Sequence, residues 1–251
     1  MSVTIDPEIL EKAGDFNLDE ISVKTITNDK VDFKAAFIEL NIFESIYSNA
    51  VNGNIVIRDS GNFINQYAIS GQETIAFNVH TPGAEGDDQI DFKKFPARIY
   101  KVSDKVPTKE REQVYTLHFT STEAVKNLRT RFSKALTGTT GEMAQTILTD
   151  KNYIGTDKKV FVEDTQNIHK IVFPYTRPFG AVSMLARRSE SSTYNTPGFL
   201  FFETHRGYNF RSYESLTHID KDPIPEQFLF SDMPYARDPN NPAMRDIVFD
   251  M

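Results

Sequence analysis

The sequence predicts an α+β protein that begins with a small antiparallel β-barrel, continues as an α+β module and ends in an extended proline-rich tail. Three observations predict this organisation. Residues 20–121 contain several short runs of alternating apolar and polar residues, separated by turn signals and without crossover helices. From Thr120 the apolar period becomes helical, and after Leu216 five prolines interrupt any regular element.

These changes of pattern divide the 251 residues into four segments. The predicted segments are an N-terminal arm at 1–19, a β-barrel domain at 20–121, an α+β domain at 122–216 and a tail at 217–251. The tail is expected to lie extended over a surface. An alternative is that its last strand-like residues begin a second barrel, for which this length of sequence is too short to be complete.

The barrel domain is predicted from six strands that start near Glu20. Ala36, Ile38, Leu40 and Ile42 are expected on one face of a long strand. The dipeptide Asn52-Gly53 is the strongest two-residue hairpin signal, so we expect a tight turn there. Further alternating strands and one short helix complete the domain, with strands at 75–79, 97–102 and 114–120 and the helix at 59–67.

The α+β domain is predicted to open with a helix. Thr120 and Glu123 have capping-box spacing, and apolar residues follow at helical positions as far as Leu128. A second helix, two strands and a third helix are then expected at 142–148, 159–163, 171–175 and from Thr176 onward. Alternation on both sides of His205-Arg206-Gly207 predicts a phenylalanine-rich β-hairpin over residues 199–210.

Composition excludes several classes of protein. The chain has no cysteine, which excludes disulfides and thiolate metal sites in it and is typical of a protein made in a reducing cytosol. No apolar run is long enough to cross a membrane. The N-terminus has acidic residues where a secretory signal would be basic and apolar.

The net charge of −7 is concentrated in the first half of the chain. Residues 1–121 carry 12 Lys and Arg against 19 Asp and Glu, whereas residues 122–251 carry 16 of each. An acidic balance disfavours nucleic-acid binding, which depends on cations that neutralise phosphates. Two interpretations stay open: ordinary solubility, or the wall of a conduit that must not hold passing DNA.

Candidate catalytic and metal-binding residues do not form a known motif, so we assign no catalytic, cofactor-binding or metal-binding residue. His118 lies out of phase with its strand's apolar face, which indicates a solvent or interface position. Glu203 and His205 could act as an acid/base pair, but their spacing follows from strand periodicity alone. His218 and Asp220 have a ligand-like spacing without a second cluster to complete a site.

Two charged clusters also admit a structural interpretation. Glu85, Asp87, Asp88 and Asp91 form an acidic loop that lacks the alternating ligand spacing of a calcium site, so we interpret it as a solvated loop. The basic cluster consists of Arg129, Arg131 and Lys134. We interpret it as a helix exit that favours positive charge, and the alternative is docking onto an acidic neighbouring subunit.

Three stretches together resemble the baseplate hub protein of contractile-tailed, T-even-type bacteriophages. The first is FPYTRPFGAVSMLARR followed by GFLFFETHRGYNFRSYESL, an amphipathic helix and an aromatic hairpin. The second, FIELNIFESIYSNAVNGNIVIRDSGNFINQYAISGQETIAFNV, is similar to the strands of the hub's first, tail-tube-like barrel. The third, TSTEAVKNLRTRFSKALTGTTGEMAQTILTD, resembles the helical passage after that barrel. The resemblance covers about residues 20 to 216.

The resemblance implies a structural virion protein and not an enzyme. It implies a homotrimeric ring, assembled in the host cytoplasm, that joins a three-fold central spike to the six-fold tail tube. The ring would line a channel for the tape measure protein and for DNA in passage, without sequence-specific DNA binding or membrane insertion. The strands expected to line or build the ring are 37–47 and 75–79. Hub proteins carry a second barrel that this sequence lacks, so either the chain is shortened or symmetry is matched differently.

Two other functions remain as alternatives. A carbohydrate-binding tail module would use exposed aromatic residues, above all Tyr194, Tyr208 and Tyr213. A cell-wall hydrolase would need a pair of carboxylates in an aromatic cleft, and the sequence has no localised signal for one.

Overall fold

The computed structural model of the protein describes residues 16–67, 69–80, 90–109 and 112–217. Several sequence predictions lie outside these ranges: most of the N-terminal arm, three acidic loop residues (Glu85, Asp87 and Asp88), the His218–Asp220 pair and the proline-rich tail. Within the described ranges, residues 16–121 and 122–217 build two separate hydrophobic cores.

An antiparallel sheet of eight strands forms the first part of the chain. Its strands are β1 (Asn17–Lys24), β2 (Lys30–Asp32), β3 (Phe37–Phe43), β4 (Asn52–Asp59), β5 (Thr74–His80), β6 (Ile90–Asp91), β7 (Ala97–Lys109) and β8 (Glu112–Thr120). The strand order is β2-β1-β5-β7-β8-β4-β3, and β6 pairs with β5 beside this path. A short helix, α1 (Phe63–Gln66), connects β4 to β5.

This sheet is open, so the predicted barrel is not closed by hydrogen bonds between its end strands. Among the described residues, β2 pairs with β1 and β3 pairs with β4, and neither has a second strand partner. The chain crosses from β2 to β3 through a 3-10 turn at Lys34–Ala36, which contacts β1 and β4. Buried Phe33 anchors this crossing by donating its N–H to the Ile21 carbonyl. A 3-10 turn has no strand edge to offer, so the ladder stops there.

The prediction of a hairpin turn at Asn52-Gly53 is wrong. Both residues lie inside β4, and the connection from β3 spans residues 44–51. Gly53 pairs with Ile42 on one side and with Phe119 on the other. A Cβ at Gly53 would collide with the Phe119 ring and lie 2.5 Å from the Asn41 carbonyl oxygen. The glycine is therefore required for close packing in a strand and not for a turn.

The predicted face of the first long strand is also different. Ala36 belongs to the 3-10 turn, and a bulge between Phe37 and Glu39 shifts the register of β3. Ile38 is consequently 42% exposed, whereas Leu40 and Ile42 pack against the core. A β-bulge inserts one residue and so changes the face of the side chains around it.

The second part of the chain combines short sheets with helices. Its strands are β9 (Phe132–Gly138), β10 (Val160–Val162), β11 (His169–Thr176), β12 (Phe199–Thr204) and β13 (Gly207–Ser212). Its helices are α2 (Thr122–Arg129), α3 (Thr140–Thr149), α4 (Pro178–Ala186) and α5 (Tyr213–Thr217). β9 pairs with β11, and β10 joins the β12–β13 hairpin in the order β10-β13-β12. The prediction of an α+β module with a phenylalanine-rich hairpin is confirmed.

Two helix starts differ from the predictions: α4 begins at Pro178 with Arg177 and not Thr176 as its N-cap, and the predicted capping box is not in α2. The capping box belongs to α3, where the Thr139 hydroxyl accepts the Glu142 N–H and the Glu142 carboxylate accepts the Thr139 N–H. The N-cap of α2 is Ser121, and Glu123 has a different role, described below. Strand β9 was not expected. Its residues 133–135 are all exposed, so apolar and polar residues do not alternate there as they do in a typical half-buried strand.

Aromatic rings fill both cores. In the first sheet, Phe77 stacks on Phe92 with centroids 4.5 Å apart and contacts Phe119 at 5.4 Å. In the second part, Phe179 of α4 packs on Phe201 of the hairpin at 5.4 Å. The helix and the hairpin therefore form one packing unit, as the sequence predicts.

Candidate functional site

Strand β12 joins the two parts of the chain through Glu203. Its carboxylate oxygen Oε2 accepts the N–H of Val51 at 2.9 Å, across 152 positions of sequence. The Glu203 N–H donates in turn to the carbonyl of Ser48. Both partners lie in the connection between β3 and β4. Glu203 thus fastens the first sheet to the second module, together with the Asn49–Ser183 hydrogen bond and the contact between Glu44 and His205.

A buried lysine links this carboxylate to a second one. The Nζ atom of Lys158 lies 2.6 Å from Glu203 and 2.9 Å from Glu123. The Glu203 side chain is fully buried, and those of Lys158 and Glu123 are 8% and 11% exposed. We call these three residues the Lys158 cluster. It collects one side chain from α2, one from the segment before β10 and one from β12.

Burial and charge act differently on the members of the cluster. Burial alone would lower the pKa of Lys158, but the attraction of Glu203 and Glu123 outweighs it and raises that pKa. Burial raises the pKa of Glu203, and it outweighs the opposing effects of Lys158 and of the Val51 N–H. One cation thus faces two carboxylates, which favours proton binding by the more deeply buried one.

The structure separates the predicted acid/base pair. Glu203 points into the Lys158 cluster, whereas His205 lies in the turn between β12 and β13, with its Nδ1 atom 3.0 Å from Glu44 Oε1. The two side chains therefore belong to different contacts. Because the carboxylates of the cluster are almost completely buried and already paired, a polymeric substrate has no access to them.

Other predicted candidates also have structural partners. His118 is half-buried, and its Nε2 atom lies 2.7 Å from the Ser103 hydroxyl. Asp91 is exposed and accepts the N–H of Lys93. Within the described ranges, no three His, Asp or Glu side chains lie close enough together to hold a metal ion. No helix there combines the length and the apolarity that a bilayer crossing requires.

The aromatic residues proposed for sugar binding do not share an exposed surface. Tyr208 is completely buried beneath α4, with its ring 5.8 Å from that of Phe179. Tyr213 is 55% exposed in α5, and Tyr194 is half-buried in the loop before β12. A sugar platform needs aromatic faces that are open to solvent, so Tyr208 cannot contribute to one.

Of the two strands predicted to build a ring, the one at the outer edge of the first sheet exposes more apolar surface. We call residues 37–47, which are β3 and the start of the following loop, the β3 edge. Phe43 is 57% exposed and Tyr47 is 79% exposed, and Ile38 and Ile46 are also exposed. The other predicted strand, β5, lies inside the sheet with Ile75 and Phe77 buried. An unpaired, apolar strand edge is a template for association with another chain.

The predicted basic cluster lies at one end of the two-stranded β9–β11 ribbon. Arg129, Arg131 and Lys134 are all exposed. The guanidinium of Arg131 lies over the ring of Tyr175, 5.5 Å from its centroid. The cluster is therefore part of a mixed basic and aromatic surface and not only the end of a helix.

Sequence reasoning missed Lys158 and the burial of Glu123. One signal could have indicated them: Glu203 ends the run Phe199–Phe202, which is apolar at every position. A carboxylate in a strand covered on both faces requires a cationic partner. The sequence does not indicate which lysine provides it, because Lys158 is 45 residues away.

Comparisons with known proteins gave matches among solved structures. No protein-family model and no curated protein matches the sequence. A tail protein from Neisseria meningitidis MC58 is 13% identical, with a TM-score of 0.45 over 76% of this chain and 49% of its own. The E. coli c3393 protein is 11% identical, with a TM-score of 0.41 over 82% of this chain and 49% of its own. It is described as a type VI secretion system component with structural similarity to the T4 tail proteins gp27 and gp5.

A chain of the lidded Francisella PdpA–VgrG complex is 12% identical, with a TM-score of 0.42. The match covers 84% of this chain and 31% of that one. The present chain therefore spans half or less of the length of the solved chains to which it is similar.

Proposed function

We propose that this protein is a structural, non-enzymatic subunit of a phage tail baseplate, and specifically a hub subunit of a contractile tail. Three copies form a ring that connects the central spike to the tail tube. The ring surrounds the channel used by the tape measure protein and by DNA in passage. The protein would be assembled in the host cytoplasm and become part of the virion.

The observation that carries this proposal is the exposed, unpaired β3 edge. Exposed Phe43 and Tyr47 would be a liability in a solitary protein, because strand edges of this kind promote association. Monomeric proteins usually protect such edges with lysines, prolines or bulges that twist them away. Residues 37–47 contain neither lysine nor proline, and the edge has one bulge, beside Glu39. Closed association between copies would cover the edge.

The sequence resemblance to T-even hub proteins supports the same proposal. It covers residues 20–216, which include all described elements except the first residues of β1 and the end of α5. The Phe-rich hairpin and the helix α4, which carry the resemblance most strongly, pack together as one unit. The net acidity of residues 1–121 suits a channel wall that repels passing DNA.

The native mass of the purified protein tests this proposal. We expect a trimer by native mass spectrometry, and a larger defined complex when the spike protein of the same virus is added. Phe43→Lys should dissociate the trimer, because it places a charge in the covered edge. The matched control is Tyr100→Lys, which replaces a similarly exposed aromatic residue on an inner strand. A monomer at all concentrations would contradict the proposal.

The two alternatives have separate tests on the same protein. A hub subunit should show no saccharide binding on a glycan array and no activity in peptidoglycan zymography. Retention of a glycan that is lost on substitution of exposed Tyr213 would favour the carbohydrate-binding module instead. Cleared peptidoglycan would favour a hydrolase.

A further inference from the structure

Two segments of the second module contain basic residues and no acidic ones. Residues 124–141 contain Lys126, Arg129, Arg131 and Lys134, and residues 165–189 contain Lys170, Arg177, Arg187 and Arg188. The pairing of β9 with β11 brings the two segments together. Among the residues that the structure describes, none of these eight cations has a carboxylate within 4.0 Å. Their charges are therefore available to a partner.

The outer face of the β9–β11 ribbon carries both apolar and polar side chains. Val172 lies opposite Ala135, and Lys170 lies opposite Thr137, with all four residues exposed. Val172 is 65% exposed in the middle of β11, and the ring of Tyr175 lies three residues further along the same strand. The ribbon therefore presents apolar side chains together with a lysine, the composition of an interface and not of an ordinary solvated face.

Tyr175 extends this surface at the end of the ribbon. It has a positive φ of 44°, in a region that costs free energy for a residue with a side chain. It lies in the irregular part of the β9–β11 pairing, and its ring is 68% exposed under the Arg131 guanidinium. The backbone thus holds an aromatic ring and a cation together on the outside of the protein.

The β3 edge has the complementary character. It presents exposed apolar side chains together with Glu39, whose carboxylate is held by the Asn41 amide at 2.7 Å. The net charges of the two modules also have opposite signs. Residues 1–121 have a net charge of −7, whereas residues 122–217 carry 13 Lys and Arg against 9 Asp and Glu. Opposite charges favour contact between unlike modules.

We propose that the β9–β11 ribbon of one copy docks on the β3 edge of a neighbouring copy of this chain. The contact is heterologous, so each copy uses one of its two surfaces for each neighbour, and such contacts form a ring when the rotation between copies closes. This inference rests on the proposed function, since it specifies which surfaces meet within the ring. Nucleic acid is a less suitable partner for the ribbon, because Val172 and Tyr175 would lie against phosphates.

Directed cross-linking tests the contact. Because the chain has no native cysteine, only the introduced cysteines can react with the cross-linker. Val172→Cys and Phe43→Cys proteins are prepared separately, mixed, allowed to exchange and treated with a flexible bismaleimide. We expect cross-linked dimers in the mixture and not in either protein alone. Lys151→Cys mixed with Phe43→Cys is the matched control, because Lys151 is exposed and lies outside the ribbon.

Charge exchange provides an independent readout. Lys170→Glu and Glu39→Lys should each weaken assembly roughly tenfold or more, because each places like charges in contact. The protein with both substitutions should recover assembly. Asp157→Lys, at an exposed acidic residue of the second module, should leave assembly unchanged.

The outcomes separate the two proposals. A wild-type monomer would overturn the proposed ring together with this contact. A wild-type oligomer whose Val172→Cys and Phe43→Cys mixture does not cross-link would overturn the contact alone, as would equal cross-linking in the single-variant samples. Fluorescence anisotropy with a labelled DNA duplex covers the remaining possibility: tight binding that Lys170→Glu abolishes would make the ribbon a nucleic-acid surface and overturn the contact.

Discussion

Gly53 of β4 pairs directly with Phe119 of β8, and the Phe119 ring occupies the space that a side chain at position 53 would need. The same ring packs against Phe77, so the glycine supports the aromatic centre of the first core. This pairing of a glycine with an aromatic residue across two strands is a recognised way to fill the gap that a glycine leaves in a sheet.

Replacing Gly53 with alanine should therefore destabilise the protein. We expect a loss of about 1–3 kcal/mol in the free energy of unfolding, because Phe119 or the β3 backbone must move. Urea denaturation measures it. Gly180→Ala is the control: a Cβ there meets only Thr176 Cγ2 at 3.5 Å, and the helix α4 should gain up to about 1 kcal/mol. Equal effects at both positions would contradict the packing role of Gly53.

Lys158→Met should lower the free energy of unfolding more than any other substitution proposed here. It leaves Glu123 and Glu203 buried without a cation, and breaking a buried ion pair in this way costs about 3–5 kcal/mol. Lys159→Met removes the neighbouring exposed lysine and should change the free energy of unfolding by less than about 0.5 kcal/mol. Similar stability of the two variants would show that the cluster contributes little.

The pH dependence of the Glu203→Gln variant has a defined sign. Since burial raises the pKa of Glu203 above 4.5, the folded state binds this proton more tightly, and the contribution of Glu203 to wild-type stability falls as the pH rises above 4.5. Glutamine does not titrate. The stability of the variant relative to the wild type should therefore increase from pH 4.5 toward neutrality and then become constant. A difference that does not change with pH would contradict the raised pKa.

The pH dependence of stability should have the opposite sign for Glu163→Gln. Burial acts to raise the pKa of Glu163, but hydrogen bonds from Ser191 and from the N–H and hydroxyl of Ser212 lower it below 4.5. The stability that the carboxylate adds is present above pH 4.5 and is lost as the pH falls through the lowered pKa. Wild type and variant should therefore converge in acid, which urea denaturation between pH 2 and pH 6 can follow.

Glu73 is expected to organise the loop before β5. Its buried carboxylate accepts the N–H groups of Ser70, Gly71 and Gln72 at 2.8–2.9 Å, and these bonds lower its pKa although burial opposes them. Glu73→Gln turns one acceptor into a donor that faces other donors, which should cost about 1–3 kcal/mol. Gln72→Ala at the adjacent exposed position is the control. Protection of the Gly71 amide from hydrogen exchange should decrease only in the Glu73 variant.

The features that the sequence predicted correctly depend on neighbouring residues. The hairpin β12–β13 and the helix α4 were predicted because alternation, helical period and turn residues are all local. Asn52-Gly53 misled the same reasoning, since a glycine can serve either a turn or a close contact. The partner that distinguishes the two uses, Phe119, is distant in the chain.

The features that were missed depend on tertiary contacts. The sheet stays open because a 3-10 turn follows β2, and the sequence Lys34–Ala36 has no signal that distinguishes it from a strand. Lys158 was not singled out because its two partners lie in different elements. A strand was predicted where β3 lies, but its position at the edge of the sheet could only be seen once the strand order was known.

The composition of the Lys158 cluster limits how the sequence can vary at three positions. One ammonium group serves two carboxylates from separate elements, so loss of the lysine leaves two carboxylates without a cation at an almost completely buried site. Tolerated changes at positions 123, 158 and 203 should therefore be correlated, with an apolar trio replacing all three or a swapped arrangement retaining the balance. Homologues in which only the lysine has changed should be rare.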